Sequence, residues 1–319
     1  CVPFAIERIS FDPGASVLGD VAYALGADMS AAILQNGEDV VARIRAAREL
    51  AAEGSATARK ALQAALHGDA FWGVSAQVAK ALGKTRSAWA CELLLTALDH
   101  PHPKVRRAVA SALGEFREGR VAQALIEKAS HDVSYFVCAA SWESLGKTRD
   151  PRAYDRLRDA VVMRSWNSTV EAGAAAGLGE LGDARAGGDL LAAAAAHNDL
   201  GLRRAALMAL ARLAQQVEGQ RRRAGDAIAQ ALDDPSFPVQ IAAVDAAKEL
   251  DDASLLPALD RLRDRAFDGR IRRAAAETAL HIRSSAGVTH QMTGLRSDLD
   301  ALRAEHRKIQ EQIEALTQA

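Results

Sequence analysis

Apolar residues recur at helical spacing in eight related segments of this 319-residue chain. In one segment, Val74, Val78 and Leu82 are each four positions apart, which places them on one face of a helix. Consecutive segments start 31 to 37 residues apart, a period typical of solenoids built from helical hairpins. The segments start at Val41, Val74, Val105, Val137, Val170, Leu202, Val239 and Ile271.

The repeats predict an all-α, HEAT-like α-solenoid of about eight helical hairpins over residues 31–283. Each repeat is expected to supply one helix, with a second helix between repeats, for example over about residues 88–98 and 152–162. The repeats resemble the HEAT-like units of the phycobilisome-lyase type. A glycine usually follows the last apolar residue and suits a left-handed helix cap. The glycines concerned are Gly83, Gly114, Gly146 and Gly179.

Paired arginines open three of the repeats and allow two interpretations. They could form a basic track for nucleic acid. They could instead pair with the aspartates that precede the repeats, as a ladder between hairpins. The structural interpretation is favoured because Ser75, Cys138, Glu171 and Gln240 interrupt the track at equivalent positions. The pairs are Arg106-Arg107, Arg203-Arg204 and Arg272-Arg273, and the aspartates are Asp69, Asp132 and Asp234.

Most aromatic residues fall in the turns just before or at the repeat starts. They either fill gaps between successive hairpins or form an exposed edge where another domain docks. The residues of this predicted docking edge are Phe71, Trp72, Tyr135, Phe136, Trp166, Phe237 and Phe267.

Composition excludes several classes of protein. Forty basic and 41 acidic residues nearly cancel, so no global field favours nucleic acid or a membrane surface, and neither is expected as a partner. The three cysteines are scattered without CxxC spacing, which argues against a disulfide framework and favours a reducing, cytoplasmic location. No segment reads as a membrane span or a signal peptide.

Catalytic motifs are absent from the sequence. It contains no HExxH, no GxSxG, no P-loop and no dinucleotide-binding fingerprint. Acidic residues are numerous but fall mostly at helix-surface positions. We therefore expect no catalytic residue, no metal ligand and no cofactor-binding residue in this chain, and whether its parent protein is an enzyme stays open.

The first 30 residues differ from the rest, because short apolar runs flank the turn signal Asp12-Pro13-Gly14. A β-hairpin ending in FDPG…VL (Phe11–Gly14, Val17 and Leu18) just before HEAT-like repeats resembles the end of the β-sandwich domain in bacterial aminopeptidase N-type zinc metallopeptidases. The segments DAFWGV (69–74), RSWN (164–167) and DGRIRRAA (268–275) are also similar to turns of that family's C-terminal domain.

The resemblance implies that the chain is the non-catalytic C-terminal domain of a zinc aminopeptidase. Zinc, the HExxH site and the GxMEN loop would lie upstream of Cys1. The partners would be the catalytic and β-sandwich domains of the same polypeptide, and the repeats would shape access for the peptide substrate. The alternative is a free-standing HEAT scaffold for protein partners. A lyase or chaperone for a tetrapyrrole-bearing protein ranks third.

The last segment follows a linker at 284–291 and reads as a coiled-coil helix over 292–319. Its apolar residues follow four-three heptad spacing over four heptads, which predicts association as a homodimer. The rival interpretation is a long helix that caps the last repeat. The predicted seam is Met292, Leu295, Leu299, Leu302, His306, Ile309, Ile313 and Leu316.

Overall fold

The computed structural model describes residues 25–286 and, outside this range, only Asp12, Ser16, Val17, Leu299, Leu302 and Arg303. The strands of the predicted β-hairpin and nearly all of the predicted coiled coil lie outside the described residues. The chain divides into two compact units at Gln220 and Arg221. We call them unit 1, which ends at Gln220, and unit 2, which begins at Arg221.

Unit 1 contains six helical hairpins over its described residues. Three-residue 3-10 helices precede α10, at Trp166–Ser168, and follow α12, at Glu218–Gln220. The helices are α1 (Ala27–Asn36), α2 (Val40–Glu53), α3 (Ala56–Gly68), α4 (Trp72–Thr85), α5 (Ala88–Thr96), α6 (Pro103–Leu113), α7 (Gly119–His131), α8 (Tyr135–Thr148), α9 (Ala153–Val161), α10 (Thr169–Leu181), α11 (Ala186–Ala193) and α12 (Leu200–Gln216).

Unit 2 contains two further hairpins of the same kind over its described residues. Its helices are α13 (Arg221–Ala231), α14 (Phe237–Leu250), α15 (Leu256–Arg265) and α16, described over 269–286. Each even-numbered helix of the chain carries one of the eight repeats. The prediction of an all-α, HEAT-like solenoid fold of about eight hairpins is therefore confirmed.

The repeat pattern produces these helices because each buries one apolar stripe. In α4, Val74, Val78 and Leu82 are fully buried, as their spacing predicts. At the starts of α2, α3 and α6, a side chain accepts a hydrogen bond from otherwise unpaired backbone N–H groups. The Asp39 carboxylate, for example, accepts from the N–H groups of Val41 and Ala42 at the start of α2. Burial of the stripes then stacks α2, α4, α6, α8, α10 and α12 side by side in unit 1.

The prediction that the repeat glycines form left-handed caps is wrong. Gly83, Gly146 and Gly179 lie inside α4, α8 and α10, and Gly114 ends α6 in a right-handed conformation with φ of −61°. These glycines instead let neighbouring even helices approach closely. A Cβ atom added to Gly83, for example, would come closer than 3.0 Å to Ala112. The left-handed caps are Arg86, Arg149 and Gly182 in these helices.

An arginine–aspartate ladder joins successive hairpins in unit 1. Arg106 of α6 binds Asp132 with its Nε 2.7 Å from the carboxylate, and Arg43 of α2 binds Asp69 at the same distance. Each aspartate caps the odd helix of the following hairpin, so the arginine reaches forward along the chain. The ladder thus fixes the spacing between hairpins.

Candidate docking site

The structure places the predicted docking-edge aromatics at the turns between odd and even helices. In unit 1 they lie at the starts of α4 and α8 and just before α10, and in unit 2 at the start of α14 and just before α16. Docking by this edge stays a prediction. The described surroundings separate the aromatics into two groups.

The first group bridges to the next hairpin. The ring of Trp72 stacks on His102 with centroids 5.4 Å apart and an angle of 11°. Lys104 Nζ lies 4.2 Å from the centre of the Trp72 ring, a cation–π contact. Phe237 has the Arg270 guanidinium 4.5 Å from its ring centre. These two aromatics therefore fill gaps between hairpins.

The second group is exposed and concentrates around α8 and α10. Tyr135 and Phe136 are about half exposed, and Trp166 is 64% exposed. Sequence reasoning missed two neighbours, Val162 and Met163, which are 78% and 54% exposed. The signal that could have found them is the apolar run VVM at 161–163, which continues from the last residue of α9 into a turn of seven residues, 162–168, before α10.

The turn over 162–168, called the α9–α10 loop below, has an unusual backbone. Asn167 and Ser168 are consecutive non-glycine residues in the left-handed region, with φ of 53° and 49°. Such conformations cost about 1 kcal/mol or more each and persist only where surrounding contacts hold them. Here the Ser168 hydroxyl donates to Asp199 Oδ2 at 2.7 Å, and Thr169 Oγ1 donates to the carbonyl of Trp166 at 2.9 Å.

Glu171 explains why this turn differs from its neighbours. The second residue of a repeat usually donates a hydrogen bond back to the preceding turn, as Ser75 does to the Ala65 carbonyl and Cys138 to the Asp132 carbonyl. A carboxylate only accepts. The α9–α10 loop therefore turns its donors toward Glu171, which accepts from the Ser165 N–H at 2.6 Å and also from the Ser165 hydroxyl.

A cavity of about 680 Å³ opens beside the α9–α10 loop. Its walls come from the loop, from the end of α9, from α11 and from the start of α12. Val161, Val162, Met163 and Leu202 supply apolar surface. Most of the remaining wall is polar or charged and includes the basic side chains of Arg158 and Arg164. A pocket of this size is typical of a binding site.

Three carboxylates line this cavity without forming an ion pair among the described residues: Glu171, Asp189 and Asp199. Each accepts a hydrogen bond from a neutral donor, and for Asp189 this donor is the hydroxyl of Tyr154 at 2.9 Å. Burial, together with this bond and the charge of Asp189, raises the pKa of the Tyr154 hydroxyl, which keeps it a donor. The carboxylates keep free acceptor capacity toward the cavity.

The described residues offer no metal site, since no group of three histidine, cysteine, aspartate or glutamate side chains could hold an ion. Cys91 and Cys138 are buried free thiols. None of the described helices is long and apolar enough to cross a membrane.

Comparison with known proteins supports the repeat fold. A family model described as HEAT repeats matches residues 28–101 and 91–167. No protein of curated function matches the sequence. The HEAT-like assignment of the repeat region therefore rests on this family model together with the observed hairpins.

Three solved structures are similar in fold. Human deoxyhypusine hydroxylase is 20% identical over 81% of this chain and 96% of its own, with a TM-score of 0.37. The complex of CpcE and CpcF of phycocyanin lyase from Nostoc is 24% identical over 77% of this chain and 98% of that one, with a TM-score of 0.49. An engineered protein is 17% identical over 80% and 96%, with a TM-score of 0.36.

Proposed function

We propose that this chain is a HEAT-repeat scaffold that binds a protein partner at the cavity beside the α9–α10 loop. The observation that carries the proposal is the exposure of Val162, Met163 and Trp166 next to a cavity lined by three carboxylates, each of which accepts a hydrogen bond from a neutral donor. Soluble proteins rarely leave several large apolar side chains together at the surface unless the patch binds something.

The chemistry of the cavity indicates the kind of partner segment. Trp166 and Met163 offer a large, deformable apolar contact area of the type enriched at interfaces. Glu171, Asp189 and Asp199 provide acceptors for a basic side chain that enters the cavity. We therefore expect a segment in which an aromatic or aliphatic residue adjoins a lysine or an arginine.

An aminopeptidase parent is the second hypothesis. The carboxylate of Asp12 accepts from the Ser16 hydroxyl at 2.6 Å and from the Val17 N–H at 2.7 Å. This hypothesis rests on the sequence resemblance. An in-frame HExxH upstream of residue 1 in the gene would support it, and the docking site would then face another domain of the same polypeptide.

The scaffold proposal is tested by panning a random peptide library on the purified chain and measuring the affinity of enriched peptides by fluorescence anisotropy. Enriched sequences should combine an aromatic or aliphatic residue with a lysine or an arginine. Trp166→Ala should weaken their binding by about tenfold or more, because central aromatic residues dominate interface energies. Since Trp166 is exposed, the variant should unfold at the same urea concentration as the original chain.

Phe267→Ala is the matched control. Phe267 is another fully exposed aromatic at a turn, but it belongs to unit 2. Its replacement should leave peptide affinity unchanged. Equal affinities for the original chain and Trp166→Ala would refute the docking site, as would enrichment of peptides that carry no basic residue.

A further inference from the structure

A second surface of unit 1 carries unneutralised positive charge. A groove of about 410 Å³ lies along α2 and α4, with the basic side chains Arg48, Lys80 and Lys84 on its walls. We call it the basic groove. Alanine methyl groups from both helices line the remaining surface, together with Gln77 and Thr85, and no acidic residue lines it.

The three cations of the basic groove have no anionic partner among the described residues. Arg48 donates to the amide oxygen of Gln77 at 3.4 Å, a neutral acceptor. Lys80 and Lys84 stand one helical turn apart, four positions from each other, where like charges destabilise a helix. The repulsion would be relieved by an anion bound between them.

In a later repeat, the positions that Lys80 and Lys84 occupy in α4 hold an ion pair. Counted from the repeat starts, Glu143 of α8 corresponds to Lys80, and Lys147 corresponds to Lys84. Glu143 and Lys147 form an ion pair within α8, with Lys147 Nζ 2.7 Å from the carboxylate. The fold therefore accommodates one acidic and one basic side chain at these positions, whereas α4 carries two basic side chains.

We propose that the basic groove binds an acidic segment of a partner protein. Aspartate or glutamate side chains of that segment would lie against Arg48, Lys80 and Lys84, and its backbone would pack over the alanine floor. This inference goes beyond the proposed function, because it concerns another surface, of opposite charge, and a partner segment of opposite chemistry.

The surroundings of the groove favour an acidic peptide over nucleic acid. In the next repeat the positions that correspond to Lys80 and Lys84 hold Ser111, on α6, and Glu115, just after the end of α6, so the basic surface does not continue there. A phosphate backbone needs a longer basic track. No aromatic ring lines the groove to stack on a base.

The experiment measures binding of a fluorescein-labelled oligoglutamate peptide to the purified chain by anisotropy. Binding should weaken as salt is added. The single change Lys80→Glu should weaken it by about tenfold, because it places a like charge against the peptide. The same change recreates the Glu-to-Lys spacing of α8, so the variant should unfold at the same or a higher urea concentration, which separates lost binding from lost folding.

Lys60→Glu supplies the matched control, since Lys60 is exposed on α3 and its replacement changes the net charge equally. Its affinity for oligoglutamate should stay within about twofold of the original. Trp166→Ala should also leave this affinity unchanged. The proposals for the basic groove and for the docking site can therefore be refuted independently. Equal losses in Lys80→Glu and Lys60→Glu would overturn the proposal. Tighter, Lys80-dependent binding of an oligothymidylate would overturn it in favour of nucleic acid.

Discussion

Gly146 of α8 and Gly177 of α10 face each other so closely that a Cβ atom on Gly146 would come closer than 3.0 Å to the Gly177 backbone. A Cβ atom on Gly177 would in turn approach the carbonyl oxygen of Trp142. The atoms in the way are backbone, which cannot rotate aside. This close approach packs α8 directly against α10, the even helix of the next hairpin.

The first prediction is that Gly146→Ala destabilises unit 1 by about 1–3 kcal/mol, the usual cost of overpacking a filled interior. Alanine is otherwise a better helix former than glycine, so without the close approach the substitution would stabilise unit 1. A loss of stability therefore supports the close approach. Urea unfolding followed by tryptophan fluorescence measures it, because all four tryptophans lie in unit 1.

Gly188→Ala is the control for this substitution. Gly188 lies inside α11, and an added Cβ atom would have no neighbour within 4 Å. Alanine should therefore stabilise unit 1 by about 0.5–1 kcal/mol. Effects of the same sign at Gly146 and Gly188 would contradict the packing argument.

The second prediction concerns Arg86, which ends α4 in the left-handed region with φ of 51°. A side chain there costs about 1 kcal/mol relative to glycine. The ion pair of Arg86 with Glu115 is exposed and contributes little. Arg86→Gly should therefore be more stable than Arg86→Ala by about 1 kcal/mol in urea unfolding, since both lose the ion pair and only alanine keeps the strain. Equal stabilities would argue against strain at this cap.

The repeat fold could be predicted from the sequence because its determinants are local. The spacing of Val74, Val78 and Leu82 predicts which face of α4 is buried. The number of repeats along the chain predicts the number of hairpins. The glycine roles could not be assigned this way. A glycine near a helix end, such as Gly146, is typical of a helix cap. Only the position of α10 in the structure shows that Gly146 is where α8 and α10 come into contact.

The candidate docking site was predictable only in part. Trp166 is recognisable as an aromatic residue in a turn, but the sequence does not distinguish it from Trp72, which stacks on His102. The cavity depends on Glu171 reversing the direction of a hydrogen bond that other repeats make. The repeat alignment shows Glu171 at an unusual position, yet its effect on the α9–α10 loop needs the three-dimensional contacts.

The third prediction is that Cys91 and Cys138 do not react with Ellman's reagent in the folded chain at pH 8. Burial, followed by the charge of Glu118, raises the pKa of the Cys91 thiol to about 11, so the reactive thiolate is scarce. Burial also raises the pKa of Cys138. In a Cys1→Ser variant, labelling should begin only at urea concentrations that unfold unit 1. Rapid labelling without urea would show that α5 or α8 opens locally.

The fourth prediction concerns Asp132, which is almost fully buried against Arg106. Burial alone would raise its pKa, but hydrogen bonds from the Arg106 guanidinium and the Ser134 N–H outweigh it and hold the pKa of Asp132 below its usual value. A depressed folded pKa means that the unfolded state binds the proton more tightly. The stabilisation is therefore complete above the unfolded pKa of about 3.9 and is lost as pH falls through the folded pKa.

Asp132→Asn should accordingly destabilise unit 1 at pH 7 by about 3 kcal/mol, since it leaves a buried guanidinium without its counter-charge. The deficit should shrink as pH falls below about 4, because the unfolded chain then takes up a proton at Asp132 and the stabilisation is lost as pH falls further through the depressed folded pKa. Urea unfolding at pH 7 and pH 3 measures both effects. Asp99→Asn is the control, because the Asp99 side chain is 90% exposed beside Lys128 and should cost less than about 1 kcal/mol. A deficit for Asp132→Asn that is equal at both pH values would mean that Asp132 acts through its shape and not through its charge.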